Sequence, residues 1–287
     1  MTAFLLALAA AILFGVSGVT AKRGLAHADA HTGSLVLLAT VVGIYLLCSP
    51  LWMQSSDWFS VGFWVFVLNG FLHPMLSMYF ALEAHARANP TIAATFTSTA
   101  PLFAAVTAIL FLGEEMNLII GLGTLLTVAG VMTLSWSPQG VTKLMRITLL
   151  FASGAALIRG LNHTVGKWGL NLLPNVFMAG FVSFSVALIG GLILYRMRHG
   201  RMPASIPKLG LHYLMGTGAL IAVAIVCMYG ALGLGKVVVV SPVVASYPVF
   251  TLVIALLIGQ ERLSGKLVAG VILAVGGVAA ISLSNSF

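Results

Sequence analysis

The side chains able to do chemistry are few, and most lie within apolar surroundings. Gly15-Val16-Ser17-Gly18 sets a serine in a Gly-x-Ser-Gly pattern, and His163 lies far downstream. A hydroxyl beside an imidazole is what nucleophilic hydrolysis requires, because the ring takes the proton as the oxygen attacks. In a chain with 31 glycines that pattern weighs little against close helix packing through small residues. Thr91, Thr95 and Thr99 recur every four residues and share one helix face, with Ser98 beside them. His73 and Ser77 share another face; Ser241, Ser246 and Tyr247 form a third group. Arg159 and His163 stand one helical turn apart, with Asn162 next to the histidine. Such groups suit binding of a small polar solute, although each Ser or Thr can equally bond back to its own helix. An arginine inside a span faces protein or water, or snorkels to the interface.

What is missing narrows the chemistry. The six acids, Asp29, Asp57, Glu83, Glu114, Glu115 and Glu261, fall in loops or at the ends of apolar runs. Proton-coupled pumps commonly hold a carboxylate in the membrane interior, and none is expected here. No Gly-x-x-x-x-Gly-Lys-Ser/Thr segment occurs, so ATP is not the direct fuel. Cys48 and Cys227 lie in apolar runs, which argues against a disulfide framework. Neither a cofactor nor a metal is expected.

The elements that position these groups follow from composition. Of 287 residues, 60% are hydrophobic and 7% charged, and the mean hydropathy is +1.09. Soluble domains carry about a quarter charged residues. A soluble globule of this kind would leave much apolar surface in water, so the chain reads as an integral membrane protein. Ten apolar runs are expected to cross, at 4–21, 33–53, 61–84, 91–112, 118–136, 145–166, 174–195, 208–232, 239–259 and 265–284. Each is close to the about 20 residues that a helical span needs. None alternates polar with apolar as barrel strands do. The fold class is all-α integral membrane: ten transmembrane helices as two inverted five-helix repeats around a central cavity. Lys22 and Arg23 follow the first run instead of preceding it, which favours a retained helix over a cleaved signal peptide.

The formal charge of +8 would suggest a nucleic-acid partner in a soluble chain. Here the basic residues lie almost wholly in loops, where they set topology and touch anionic lipid, and no nucleic acid is expected. Loops after odd-numbered spans hold Lys22, Arg23, Arg87, Lys143, Arg146, Arg196, Arg198, Arg201, Lys208, Arg262 and Lys266. Loops after even-numbered spans hold only Lys167 and Lys236. The asymmetry puts the odd loops in the cytoplasm and both termini outside, in a multi-pass protein of the cell (inner) membrane.

An internal repeat divides the chain into halves, 1–140 and 141–287. An offset of 147 aligns Pro101 with Pro248, Phe103 with Phe250, Glu114 with Glu261, Gly123 with Gly270 and Gly130 with Gly277. Near the start of each half the offset is 145, aligning Gly15 with Gly160, Ser17 with Asn162, Lys22 with Lys167 and Gly24 with Gly169. Matched Gly, Pro, Glu and Lys carry more weight than matched aliphatics. Five spans per half invert one half relative to the other, as in secondary transporters. Pro74, Pro101 and Pro248 fall inside apolar runs, where proline kinks a helix; Pro101 and Pro248 are expected to act as a matched pair of gating kinks. Spans five and ten, glycine-bearing and poor in polar groups, read as peripheral scaffold.

These features resemble the drug/metabolite transporter superfamily, EamA type. The resemblance rests on Gly15/Lys22 and Gly160/Lys167, on Pro101 and Pro248, on Leu-Gly-Glu-Glu at 112–115 and Gly-Gln-Glu-Arg at 259–262, and on a glycine-bearing last helix in each half. It covers nearly the whole chain. It implies export of amino acids and other small metabolites, with the aromatic or apolar amino-acid exporter branch as the suggested one. The loop at 54–60 departs from many members in having no Lys or Arg.

The expected solute site takes Ser17, His73, Ser77, Thr95, Ser98, Thr99, Asn162, His163 and Ser246 as polar groups. Tyr79, Trp168, Tyr229 and Tyr247 serve as its aromatic wall. Hydroxyls and an amide would bind both head groups of a zwitterion without burying net charge. Flux then runs down the solute's own gradient, with proton coupling at most through His73 or His163. The other classes weighed are an intramembrane serine hydrolase built on Ser17 and His163 and a non-transporting membrane scaffold.

Overall fold

A computed structural model describes residues 1–77, 80, 98–135, 143–200, 206–262 and 264–284, with the backbone alone at 143–149. Among these residues every regular element is helical. In chain order they are α1 (Thr2–Leu25), α2 (Ala30–Leu47), α3 (Val61–Gly70), α4 (Ala100–Leu112), α5 (Leu118–Ser135) and α6 (Lys143–Leu172). Then come α7 (Val176–His199), α8 (Lys208–Leu234), α9 (Val237–Ala245), α10 (Tyr247–Leu257) and α11 (Gly265–Ser282). Among the described residues seven helical stretches are long and apolar enough to cross a bilayer, α9 and α10 counting together as one. The 30-residue α6 and two shorter apolar stretches, Val61–Leu76 and Ala100–Leu112, occupy the other expected spans.

Caps at corresponding places start the second helix of each half. The Asp29 carboxylate accepts from Thr32 N at 2.9 Å and the Asn175 amide oxygen from Met178 N at 3.0 Å. Each satisfies a backbone donor that the helix itself cannot. Large apolar side chains such as Trp64, Leu110, Phe111 and Leu257 stay exposed, as a lipid-facing surface requires.

Packing crosses between the halves. Helix α1 lies against α8 and α10 of the second half, and α6 lies against α3 and α4 of the first. Helices α5 and α11 pack on each other, glycine against glycine. A Cβ at Gly123 would lie 2.8 Å from Gly277 O, and one at Gly130 would lie 2.7 Å from Gly270 O. Because Gly123 corresponds to Gly270 and Gly130 to Gly277, these two contacts map onto each other when the halves are exchanged. Two helix backbones approach this closely only where side chains are absent.

Among the described residues, two spans are interrupted, and the helix of a third starts directly after a turn at Ser98 and Thr99. Pro74 removes a donor and disfavours the helical region for the residue before it. His73 accordingly adopts an extended φ of −145° and ψ of 127° within the π-helical stretch Phe71–Leu76. Pro101 and Pro248, expected as gating kinks, both stand where a described helix begins. Each is the second residue of a new helical segment, α4 or α10, where the missing N–H has no intrahelical partner to lose. The residue before each segment has nearly the same backbone: φ −78° and ψ −2° at Thr99, φ −74° and ψ −1° at Ser246. A tight three-residue bond follows at both places, Leu102 N to Thr99 O and Val249 N to Ser246 O, each 2.9 Å.

Candidate functional site

The interruptions in these spans border a cavity of about 380 Å³ shared by both halves, within the range of small-molecule sites. Its polar lining comes from Ser17, Ser34, His73, Ser98, Ser135, Arg159, Asn162, His163, Ser241 and Tyr247. Phe14, Leu37, Leu38, Phe184, Ile225 and Val244 supply apolar wall, and Pro101 also lines it.

Local bonds hold these groups in place. His163 Nδ1 lies 2.9 Å from Ser241 Oγ, tying α6 to α9. His73 Nδ1 and Ser77 Oγ are hydrogen-bonded one turn apart, so Ser77 orients a lining imidazole without lining the cavity itself. The Arg159 guanidinium sits over the Tyr247 ring, 5.7 Å from its centroid. Asn162 is 2% exposed, and its buried Oδ1 has no hydrogen-bond partner among the described residues.

Of the expected site residues, Ser17, His73, Ser98, Asn162, His163 and Tyr247 therefore come together around one space. Others are placed elsewhere. Ser246 is buried and its hydroxyl bonds back to Val243 O at 2.7 Å. Thr99 precedes α4 as the turn residue and Pro248 opens α10, neither of them in the lining. Tyr229 is buried within the bundle, where its hydroxyl accepts from Asn69 Nδ2 at 2.8 Å. Trp168 is 46% exposed on the outside of α6. Tyr79 and Thr95 lie outside the described residues.

Ser17 and His163 both line the cavity, but each makes its hydrogen bond elsewhere. Ser17 Oγ donates to Phe14 O at 2.8 Å, the self-helix bond open to any helical serine. His163 is engaged with Ser241. Arg159 also lines the cavity, so a charged group stands beside the uncharged ones expected there. Phe14 escaped the sequence reading, although the repeat marks it: it stands 145 residues before Arg159. Ser34, Ser135 and Phe184 had no comparable signal.

The model of the EamA-like transporter family matches residues 1–136 and again 146–283. The chain belongs to that family, a two-repeat family of membrane transporters. A crystal structure of another protein superposes with a TM-score of 0.81 over 98% of each chain at 16% identity, which shows a common fold. No curated protein matches the chain.

Proposed function

We propose that the chain exports small metabolites, amino acids foremost, by alternating access without ATP. The observation that carries this reading is the cavity itself. It is built from both halves at the breaks in their spans, where inverted-repeat transporters bind solute. Broken helices free backbone groups only where protein or an aqueous space can satisfy them, and here the breaks at His73, Thr99 and Ser246 cluster at or beside that space. Two halves packed across each other suit rocking of one against the other.

Ser17, Ser98 and Asn162 supply polar contacts, and Tyr247 with Phe14 and Phe184 supplies aromatic wall. Among the described residues no carboxylate lines the cavity, which supports movement down the solute's own gradient. Proton coupling, where it operates, goes through His73 or His163. The two halves divide at about residue 140, and both termini face away from the cytoplasm of a cell-membrane protein, on the loop-charge argument. A flux screen of radiolabelled metabolites in proteoliposomes tests the reading. Substrate-dependent flux supports it; a purified, folded protein passing no metabolite contradicts it.

A further inference from the structure

We infer that the cavity is polarised, with Arg159 as the anchor that fixes the anionic head of the solute and turns away solutes that lack one. This rests on the transport reading above. Three pairs of positions related by the 145-residue offset line the cavity together: Phe14 with Arg159, Ser17 with Asn162, and Gly18 with His163. At equivalent places α1 offers phenyl, hydroxyl and hydrogen where α6 offers guanidinium, amide and imidazole. The fold is symmetric and the chemistry is not. Tyr247 lies between the two walls, its ring 6.4 Å from that of Phe14 and 5.7 Å from the Arg159 guanidinium.

Arg159 presents a cationic side chain, half-buried, at the cavity wall, where an anionic group is the favoured partner. Five of the six acids are described, and each is placed elsewhere. Asp29 caps α2, Asp57 accepts from Asn175, Glu114 accepts from the start of α9, and Glu115 and Glu261 are exposed; Glu83 lies outside the described residues. Among the described residues, the polar groups that share the cavity with Arg159 are hydroxyls, an amide and two imidazoles, none of them anionic. Among the described residues no side chain beside Arg159 supplies a negative charge, and a solute carboxylate fits the planar fork of arginine with two parallel bonds. One turn along the same face, Asn162 adds an amide to the cavity wall beside the guanidinium. The apolar body then lies toward Phe14.

The test uses purified full-length protein and a panel of apolar and aromatic amino acids, each beside its own amide and its decarboxylated amine. Binding is read as thermal stabilisation, and flux as proteoliposome uptake above protein-free vesicles. The expected result is that acids bind and cross while amides and amines do not. Arg159→Gln should weaken binding of the acids about tenfold or more, the scale of a lost charged hydrogen bond, and Arg159→Lys should keep the preference for acids at reduced affinity. Gel-filtration profiles and melting curves of both variants establish that they are folded. Amides or amines accepted as well as acids, or a preference for acids that survives Arg159→Gln, would overturn the anchor and leave transport standing. Flux of no panel member, by wild type or variant, would overturn the transport reading and the anchor with it.

Discussion

Gly15 of α1 lies so close to Phe250 of α10 that a Cβ at position 15 would sit 2.5 Å from the Phe250 Cβ. The counterpart contact joins Gly160 of α6 to Phe103 of α4, where an added Cβ would sit 2.7 Å from the Phe103 Cβ. The first helix of each half is thus seated on the fourth helix of the other. Both contacts lie within a residue or two of cavity-lining groups, so the packing that joins the halves also sets the distance between the walls.

Gly15→Ala and Gly160→Ala should each destabilise the protein by about 1–3 kcal/mol, the usual cost of overpacking, and disturb flux together with stability. Gly43→Ala and Gly276→Ala are the controls, since nothing lies within 4 Å of a Cβ at either. There the better helix propensity of alanine should leave the melting temperature equal or higher. Thermal unfolding of the four purified variants checks both outcomes.

Glu114 holds the start of α9 from across the half-boundary. Its two carboxylate oxygens accept from Val237 N at 2.8 Å and Val238 N at 3.0 Å. Glu114→Ala leaves both donors to water and should loosen the first turn of α9 by about 1–2 kcal/mol; Glu114→Gln, which keeps one acceptor, should do less. Faster amide hydrogen exchange at Val237 to Val240, with the core of α8 unchanged, is the expected reading.

Asp29 gives an acid-side dependence with a defined sign. Burial pushes its carboxyl up, but hydrogen bonds from Thr32 and His31 and the charge of His31 outweigh that, so the carboxyl titrates below its ordinary value of 3.8. A lowered folded-state value means the cap stabilises α2 fully above the ordinary aspartate range and loses this as the pH falls through the lowered value. Asp29→Ala should lower the melting temperature at neutral pH and flatten its fall on acidification, as paired melting curves across pH will record.

Orientation is checked by single-cysteine labelling in a background without Cys48 and Cys227. An impermeant thiol reagent applied to intact cells should reach Phe287→Cys and not His199→Cys. The opposite pattern reverses the topology and leaves the packing of the halves untouched.

Much of the fold could be read from the sequence because membrane spans are apolar over their whole length and because Pro, Gly and Glu recur at a fixed offset. Matched glycines at 123, 130, 270 and 277 mark the contact along which α5 and α11 pack on each other. The facing of individual side chains was less legible. In a helix apolar on all sides, periodicity does not distinguish lipid from cavity, so Trp168 and Asn162, six residues apart, could not be told apart as outward and inward. Pro101 and Pro248 were visible as interruptions, but a proline in the sequence looks the same whether it bends a continuous helix or opens a new segment. Arg159 was ambiguous for a similar reason: its side chain is long enough either to reach an interface or to lie over Tyr247.

Counterflow tests the central claim most directly. Proteoliposomes loaded with an unlabelled apolar amino acid, and given a trace of the labelled one outside, should accumulate label with no pH or sodium gradient imposed. Asn162→Ala, which removes an amide from the cavity wall, should reduce that uptake while the protein stays folded. Transport that demands an imposed proton gradient and survives replacement of both His73 and His163, with Asn162→Ala as active as wild type, would contradict the account.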